Sequence, residues 1–196
     1  MGIDSRNPGG TIYDVLAVAP VCGNGGMPEH SETCDNNDDD PGNVCDSQCR
    51  AVLNPEANEE VEPNDDFVGA NVVTPPSGES ELTVRGNSGG RCDFDMFVLS
   101  VPEGGSVQAE LLNVSGLPCT PNIPPNLSLR FVDQDGITER GKGMPNSSNQ
   151  CPSIDATATF ARDLLSGEYY VRVTSGEGEG SLFSYQLRFV VLPSSQ

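Results

Sequence analysis

The stretch "FDMFVLSV" at residues 94–101 alternates strictly, with Phe94, Met96, Val98 and Ser100 on one face of an extended chain and Asp95, Phe97, Leu99 and Val101 on the other. The same β-branched and aromatic character recurs in "ELTVR", "SVQAELLNV", "LSLRFV", "YYVRVT" and "FSYQLRFVV", all beyond residue 80. Turn chemistry punctuates these runs, with "PEGG" at 102–105, "DQDG" at 133–136 and "SGE" at 166–168. No strand-helix-strand rhythm appears. The larger part of the chain is therefore expected to be all-β, a jelly-roll-like antiparallel sandwich, with one helical turn at "DDFVGANVV" leading into it.

The preceding block cannot fold in the same way. "VCGNGGMPEHSETCDNNDDDPGNVCDSQC" has almost no large apolar side chains, so disulfides or a metal must hold it. Its four cysteines, Cys22, Cys34, Cys45 and Cys49, permit three pairings, and the sequence leaves the choice open. Zinc is disfavoured, because the C-x11-C, C-x10-C and C-x3-C spacings lack paired C-x2-C knuckles. The chain then divides into a polar lead-in at 1–20, a cysteine-rich module at 21–50, a linker at 51–58 and the sandwich at 59–193.

Seven cysteines favour an oxidising compartment, and the chain is expected to be extracellular or on a cell surface. "VLAVAPV" follows Asp14 without a basic region and is too short to span a membrane, so an export signal is expected to have been removed. Charge narrows the partners. Ten Lys plus Arg stand against 29 Asp plus Glu, a net charge of −19, which argues against nucleic acid and anionic membranes. Cations are the natural complement.

Catalysis finds little support. The single histidine, His30, lies in the block without a core, so no base is held rigidly for nucleophilic chemistry. A small carboxylate-dependent hydrolase remains an alternative, although there is no tryptophan to stack on sugars. The chain is read as no enzyme.

The densest charge lies in "EEVEPNDDF" at 59–67. Calcium takes six to eight oxygens from carboxylates, amides and carbonyls, best from one pre-bent segment. Glu60 and Glu62 share one side of an extended stretch, Pro63 fixes a bend, and Asn64 and Asp65 can turn back. Asp93 and Asp95 offer a second acidic pair where a strand begins. "DQDG" lacks the length and terminal glutamate of an EF-hand loop and is read as a β-turn.

Taken in order, "EVEPNDDFVGAN", "CDFDMFVLSVPEGGSV", "LSLRFVDQDG", "LLSGEYYVRV" and "YQLRFVV" resemble the bacterial pre-peptidase C-terminal domain over residues 58 to 192. The resemblance implies a calcium-stabilised jelly roll appended to secreted proteins, a family that includes collagen-binding domains. It carries a calcium role onto Glu60, Glu62, Asn64, Asp65, Asp93 and Asp95. The block at 22–49 is similar to a cysteine-rich repeat of myxobacterial surface proteins. Related domains imply a Cys119–Cys151 disulfide, which leaves Cys92 unpaired.

The implied function is a non-catalytic accessory or binding module that assists or targets a secreted or surface protein, with adhesion to collagen or polysaccharide as the alternative. Collagen-binding members use a tyrosine-rich strip, whereas this chain has four tyrosines, and alternation puts one of Tyr169 and Tyr170 in the core and the other outside. The expected partners are a parent or neighbouring secreted protein, or an extracellular polymer.

Overall fold

A computed structural model describes residues 45–88, 93–119, 127–145, 150–175 and 183–194. Cys22, Cys34, Cys92 and the segments at 1–20 and 21–44 lie outside the described residues. Among the described residues there is no helix, and the helical turn expected at 65–73 is a run of bends and turns followed by a short strand. None of the described helical content could cross a membrane.

Among the described residues ten strands form two packed sheets: β1 (Val52–Leu53), β2 (Asn71–Val73), β3 (Glu81–Ser88), β4 (Phe94–Val101), β5 (Ser106–Asn113), β6 (Leu127–Val132), β7 (Glu139–Lys142), β8 (Ser153–Ile154), β9 (Gly167–Ser175) and β10 (Phe183–Leu192). One sheet has six strands in the order β1-β2-β4-β9-β6-β7, the other four in the order β3-β10-β5-β8. The four-stranded sheet is antiparallel. The six-stranded sheet is mixed, because β1 pairs parallel to β2 and β2 parallel to β4.

The core forms where the alternating faces meet. Phe97, Leu99 and Val101 of β4, Val171 and Val173 of β9, and Leu129 and Phe131 of β6 face Val84, Leu111, Leu187 and Phe189 of the other sheet. Phe97 and Phe189 meet across the sandwich with ring centroids 5.5 Å apart, and Phe131 stacks on Tyr169 at 5.6 Å. Burial of these side chains supplies the main driving force for the fold.

Two of the three turn readings hold, whereas of residues 166–168 only Ser166 lies in a bend and Gly167 and Glu168 open β9. At 102–105 the Gly105 N–H donates to Pro102 O at 2.9 Å, and at 133–136 the Gly136 N–H donates to Asp133 O at 2.9 Å. Gly136 has φ of +69°, and a Cβ there would fall 2.3 Å from Phe67. Glycine is required on both counts.

Two further places differ from the sequence reading. Within the segment at 51–58, Val52–Leu53 form strand β1, and Leu53 sits in the core. Tyr169 points into the core as alternation requires, yet Tyr170 on the opposite face is buried too. Tyr170 belongs to a second cluster with Ala70, Met96, Val98 and Val132, on the outer face of the six-stranded sheet. On the same face Arg50, 3% exposed, reaches Glu168 with both terminal nitrogens at 3.0 and 2.8 Å, while its Nε donates to Asp46 at 2.7 Å. This fork ties the end of the cysteine module to the sandwich.

The disulfide Cys119–Cys151 is present, with a Cα separation of 5.3 Å. Cys45 and Cys49 are also disulfide-bonded.

Candidate functional site

The acidic segment crosses from one sheet to the other at the open edge of the sandwich. Residues 58–60 run along β3: Arg85 N–H donates to Asn58 O at 2.7 Å and Glu60 N–H to Arg85 O at 2.9 Å. After the cis Glu62–Pro63 bond the chain turns to the other sheet, where Met96 N–H donates to Asn64 O at 3.0 Å. Asn71 fixes the crossing from beneath. Its Oδ1 accepts from Val61 N–H at 2.8 Å, and its Nδ2 donates to Val61 O at 2.9 Å.

This route brings Glu60, Glu62 and Asp95 together, with one oxygen from each within 4.8 Å of the others. Asn64 is fully buried, and its N–H donates to Glu62 Oε2 at 2.8 Å. Its Oδ1, and Oδ1 of Asp95, are buried without a hydrogen-bond partner among the described residues. Asp93 lies near enough for its charge to act on Glu60, Glu62 and Asp95. Asp65 is turned aside, its Oδ1 accepting from Phe94 N–H at 3.1 Å. Of the six residues expected here, three converge directly, Asn64 and Asp93 border them, and Asp65 braces the start of β4.

Tyr185 was not visible as part of this site. It comes from β10, directly opposite Gly86 of β3, and its hydroxyl donates to Asp95 Oδ2 while lying 3.2 Å from Glu60 Oε2. A Cβ at Gly86 would sit 2.1 Å from the tyrosine ring. A glycine inside a strand pattern signals such a close approach, so "VRGNS" held the available clue.

The electrostatics follow from this crowding. Burial, opposed by a hydrogen bond from Asn87 N–H and reinforced by the charge of Glu62, pushes Glu60 up to about 7. Burial and the neighbouring Glu60 push Asp95 up to about 8. Burial raises Glu62 as well, and it holds Tyr185 well above its ordinary value. One tyrosine proton cannot serve two carboxylates, so the cluster must bind a proton or share a cation. Glu60 and Glu62 also line a shallow cleft of about 390 Å³ with Glu59, Arg85, Asn87 and Val114.

The donors are all oxygens, with no nitrogen or sulfur among them. Such a set fits a hard divalent cation, and the two orphaned buried oxygens fit it further.

No protein-family model matches the chain, and no curated protein does. Among solved structures, PliG of Aeromonas hydrophila, a periplasmic inhibitor of g-type lysozyme, aligns with TM-score 0.44 and 11% identity over 72% of this chain and 98% of its own. PliG of Salmonella Typhimurium gives 0.38 and 14% over 61% and 95%. The pre-peptidase C-terminal domain of a Bacillus anthracis collagenase gives 0.35 and 17% over 57% and 88%. At these TM-scores and identities the likenesses do not bear on function.

Proposed function

We propose that the chain is a non-catalytic, exported accessory module, extracellular or on a cell surface, whose sandwich is stabilised by calcium at the acidic crossing segment. The supporting observation is the convergence of Glu60, Glu62 and Asp95 beside two buried oxygens that lack partners. Glu60, Glu62 and Asp95 would hold the ion, with Asn64 able to add an amide oxygen and Asp93 its charge. Bound calcium supplies the positive charge that this crowded set lacks.

The chain's own residues do the positioning. Asn71 and Tyr185 set the walls, and the bonds from Asn58 and Asn64 to the two sheets fix the crossing. Without a cation the carboxylates repel, and the crossing should loosen and become open to proteases. In this role the module would assist or target a secreted or surface protein.

The hydrolase alternative asked for facing acids with raised pKa, and Glu60 and Asp95 meet that description. Their setting does not. Two glycosidase carboxyls must flank the bond they cleave, whereas Asp95 is 1% exposed and bonded to the buried Tyr185 hydroxyl. The arrangement suits an ion better than a sugar.

Thermal unfolding of the oxidised protein in calcium and in chelator, with Asp95→Asn alongside, tests this. Calcium at a hundredfold excess over Kd should stabilise the parent by about 2.7 kcal/mol, and Asp95→Asn should lose most of that gain. Equal midpoints for the parent in calcium and chelator would overturn the proposal.

A further inference from the structure

The strand register assembles a feature on the outer face of the six-stranded sheet that no single stretch of sequence displays. Met96 of β4 lies opposite Arg172 of β9, Arg172 opposite Arg130 of β6, and Arg130 opposite Lys142 of β7. Three of the ten cationic residues of this acidic chain thus form one row across three adjacent strands. Neighbouring strands lie about 4.8 Å apart, so the backbone positions of the row follow one another at about that interval.

Folding alone gives no reason for this row. Like charges directly opposite one another on a sheet are unfavourable, and here they meet twice. Arg130 is relieved by an ion pair with Glu139 at 2.6 Å. Arg172 and Lys142 have no acidic partner among the described residues, and Arg172 Nε is buried without a hydrogen-bond partner.

A parallel row runs beside the cations. Phe94 lies opposite Thr174, and Thr174 opposite Ser128. Phe94 is 41% exposed, and the Arg172 guanidinium sits over its ring at 5.7 Å. The hydroxyls of Ser128 and Thr174 are 3.0 Å apart, and Arg130 Nε donates to Ser128 at 3.2 Å. The surface therefore offers an aromatic face, hydroxyls and a line of cations.

We infer that this face binds an acidic polysaccharide laid across β9, β6 and β7, with its carboxylate or sulfate groups on Arg172, Arg130 and Lys142. The cations supply charge-assisted hydrogen bonds, the hydroxyls match sugar hydroxyls, and Phe94 offers a ring for the apolar face of a sugar. An acidic peptide fits less well. Of the three strands beneath the row, β9 and β6 are paired on both edges and only the four-residue β7 ends the sheet, which leaves little free edge for a peptide to join. The net charge of −19 repels a polyanion at long range, but at about 0.15 M salt the screening length is about 8 Å and the local row dominates at contact.

The inference goes beyond the calcium reading and does not rest on it. The test titrates oligogalacturonate, dextran sulfate and neutral dextran into the protein at about 0.15 M salt, once in chelator and once in calcium. The variants are Arg172→Gln/Lys142→Gln and, as a charge control outside the row, Arg162→Gln. The double variant leaves the Arg130–Glu139 pair in place and removes cross-strand repulsion, so its midpoint of unfolding should match or exceed the parent's.

Binding to at least one polyanion but not to dextran is expected. The double variant should bind about tenfold more weakly, and Arg162→Gln should bind as the parent does. Preference between the two polyanions distinguishes carboxylate from sulfate. No binding, equal binding by the double variant, or a self-association of the parent that the double variant loses would each overturn the inference. Equal unfolding midpoints of the parent in calcium and in chelator, by contrast, would overturn only the calcium reading.

Discussion

The hydroxyl of Tyr185 on β10 donates to the carboxyl of Asp95 on β4, so the two sheets are joined by a buried polar contact between residues 90 positions apart. Both residues are about 1% exposed. Buried polar groups are costly to leave unpaired, which gives this contact a consequence beyond packing. Replacing Tyr185 by Phe keeps the ring and orphans Asp95. The expected cost is about 1–3 kcal/mol in chelator, read from urea denaturation, and a loss well below that range would mean that the contact carries no net stability.

Burial raises Glu60 to about 7 and Asp95 to about 8, in a cluster that also faces Glu62, Asp93 and Tyr185. In the unfolded chain such groups titrate near about 4. The native state then holds more protons between these limits, so the stability these groups lend is complete at low pH and is lost as pH rises through about 7 to 8. In chelator the unfolding midpoint should fall over that interval. The gain from calcium should grow over the same interval, and Asp95→Asn in chelator should flatten the slope. Calorimetry across the pH range reads all three.

Arg50 carries the attachment of residues 45–50 to the outer sheet face through Glu168 and Asp46. Arg50→Ala should cost about 1.5–3 kcal/mol and expose the 45–50 loop to limited proteolysis. Unchanged stability and an unchanged cleavage pattern would show that the fork does not hold the loop.

The Cys119–Cys151 bridge closes a loop with a sequence separation of 32. The chain-entropy account predicts that Cys119→Ala/Cys151→Ala destabilises the sandwich by about 3 to 4 kcal/mol. Guanidinium denaturation under oxidising conditions measures this without touching the bridges at Cys45 and Cys49.

Periodicity made the long strands legible. β4 matches its expected limits and faces because Phe97, Leu99 and Val101 meet the main core while Met96 and Val98 meet the cluster on the opposite face. β1 and β8, of two residues each, carry no period and exist through tertiary pairing. One of Tyr169 and Tyr170 was expected outside, and Tyr170 does lie outside the main core, yet it is buried in a cluster with Ala70. The acidic stretch announced Glu60 and Glu62 but not Tyr185, since sequence spacing holds no information about which strand arrives opposite Gly86. The Arg172, Arg130 and Lys142 row was hidden for the same reason: it is a property of register, not of any segment.

The central claim is that the crossing segment at 58–66 holds calcium between the two sheets. Calorimetric titration of calcium into chelator-stripped, oxidised protein tests it most directly, comparing the parent with Glu60→Gln/Asp95→Asn. The account predicts a binding event in the parent that the double variant lacks, whatever other acidic residues of the chain contribute to both. Identical isotherms for the two proteins, or no heat of binding in either, would contradict it.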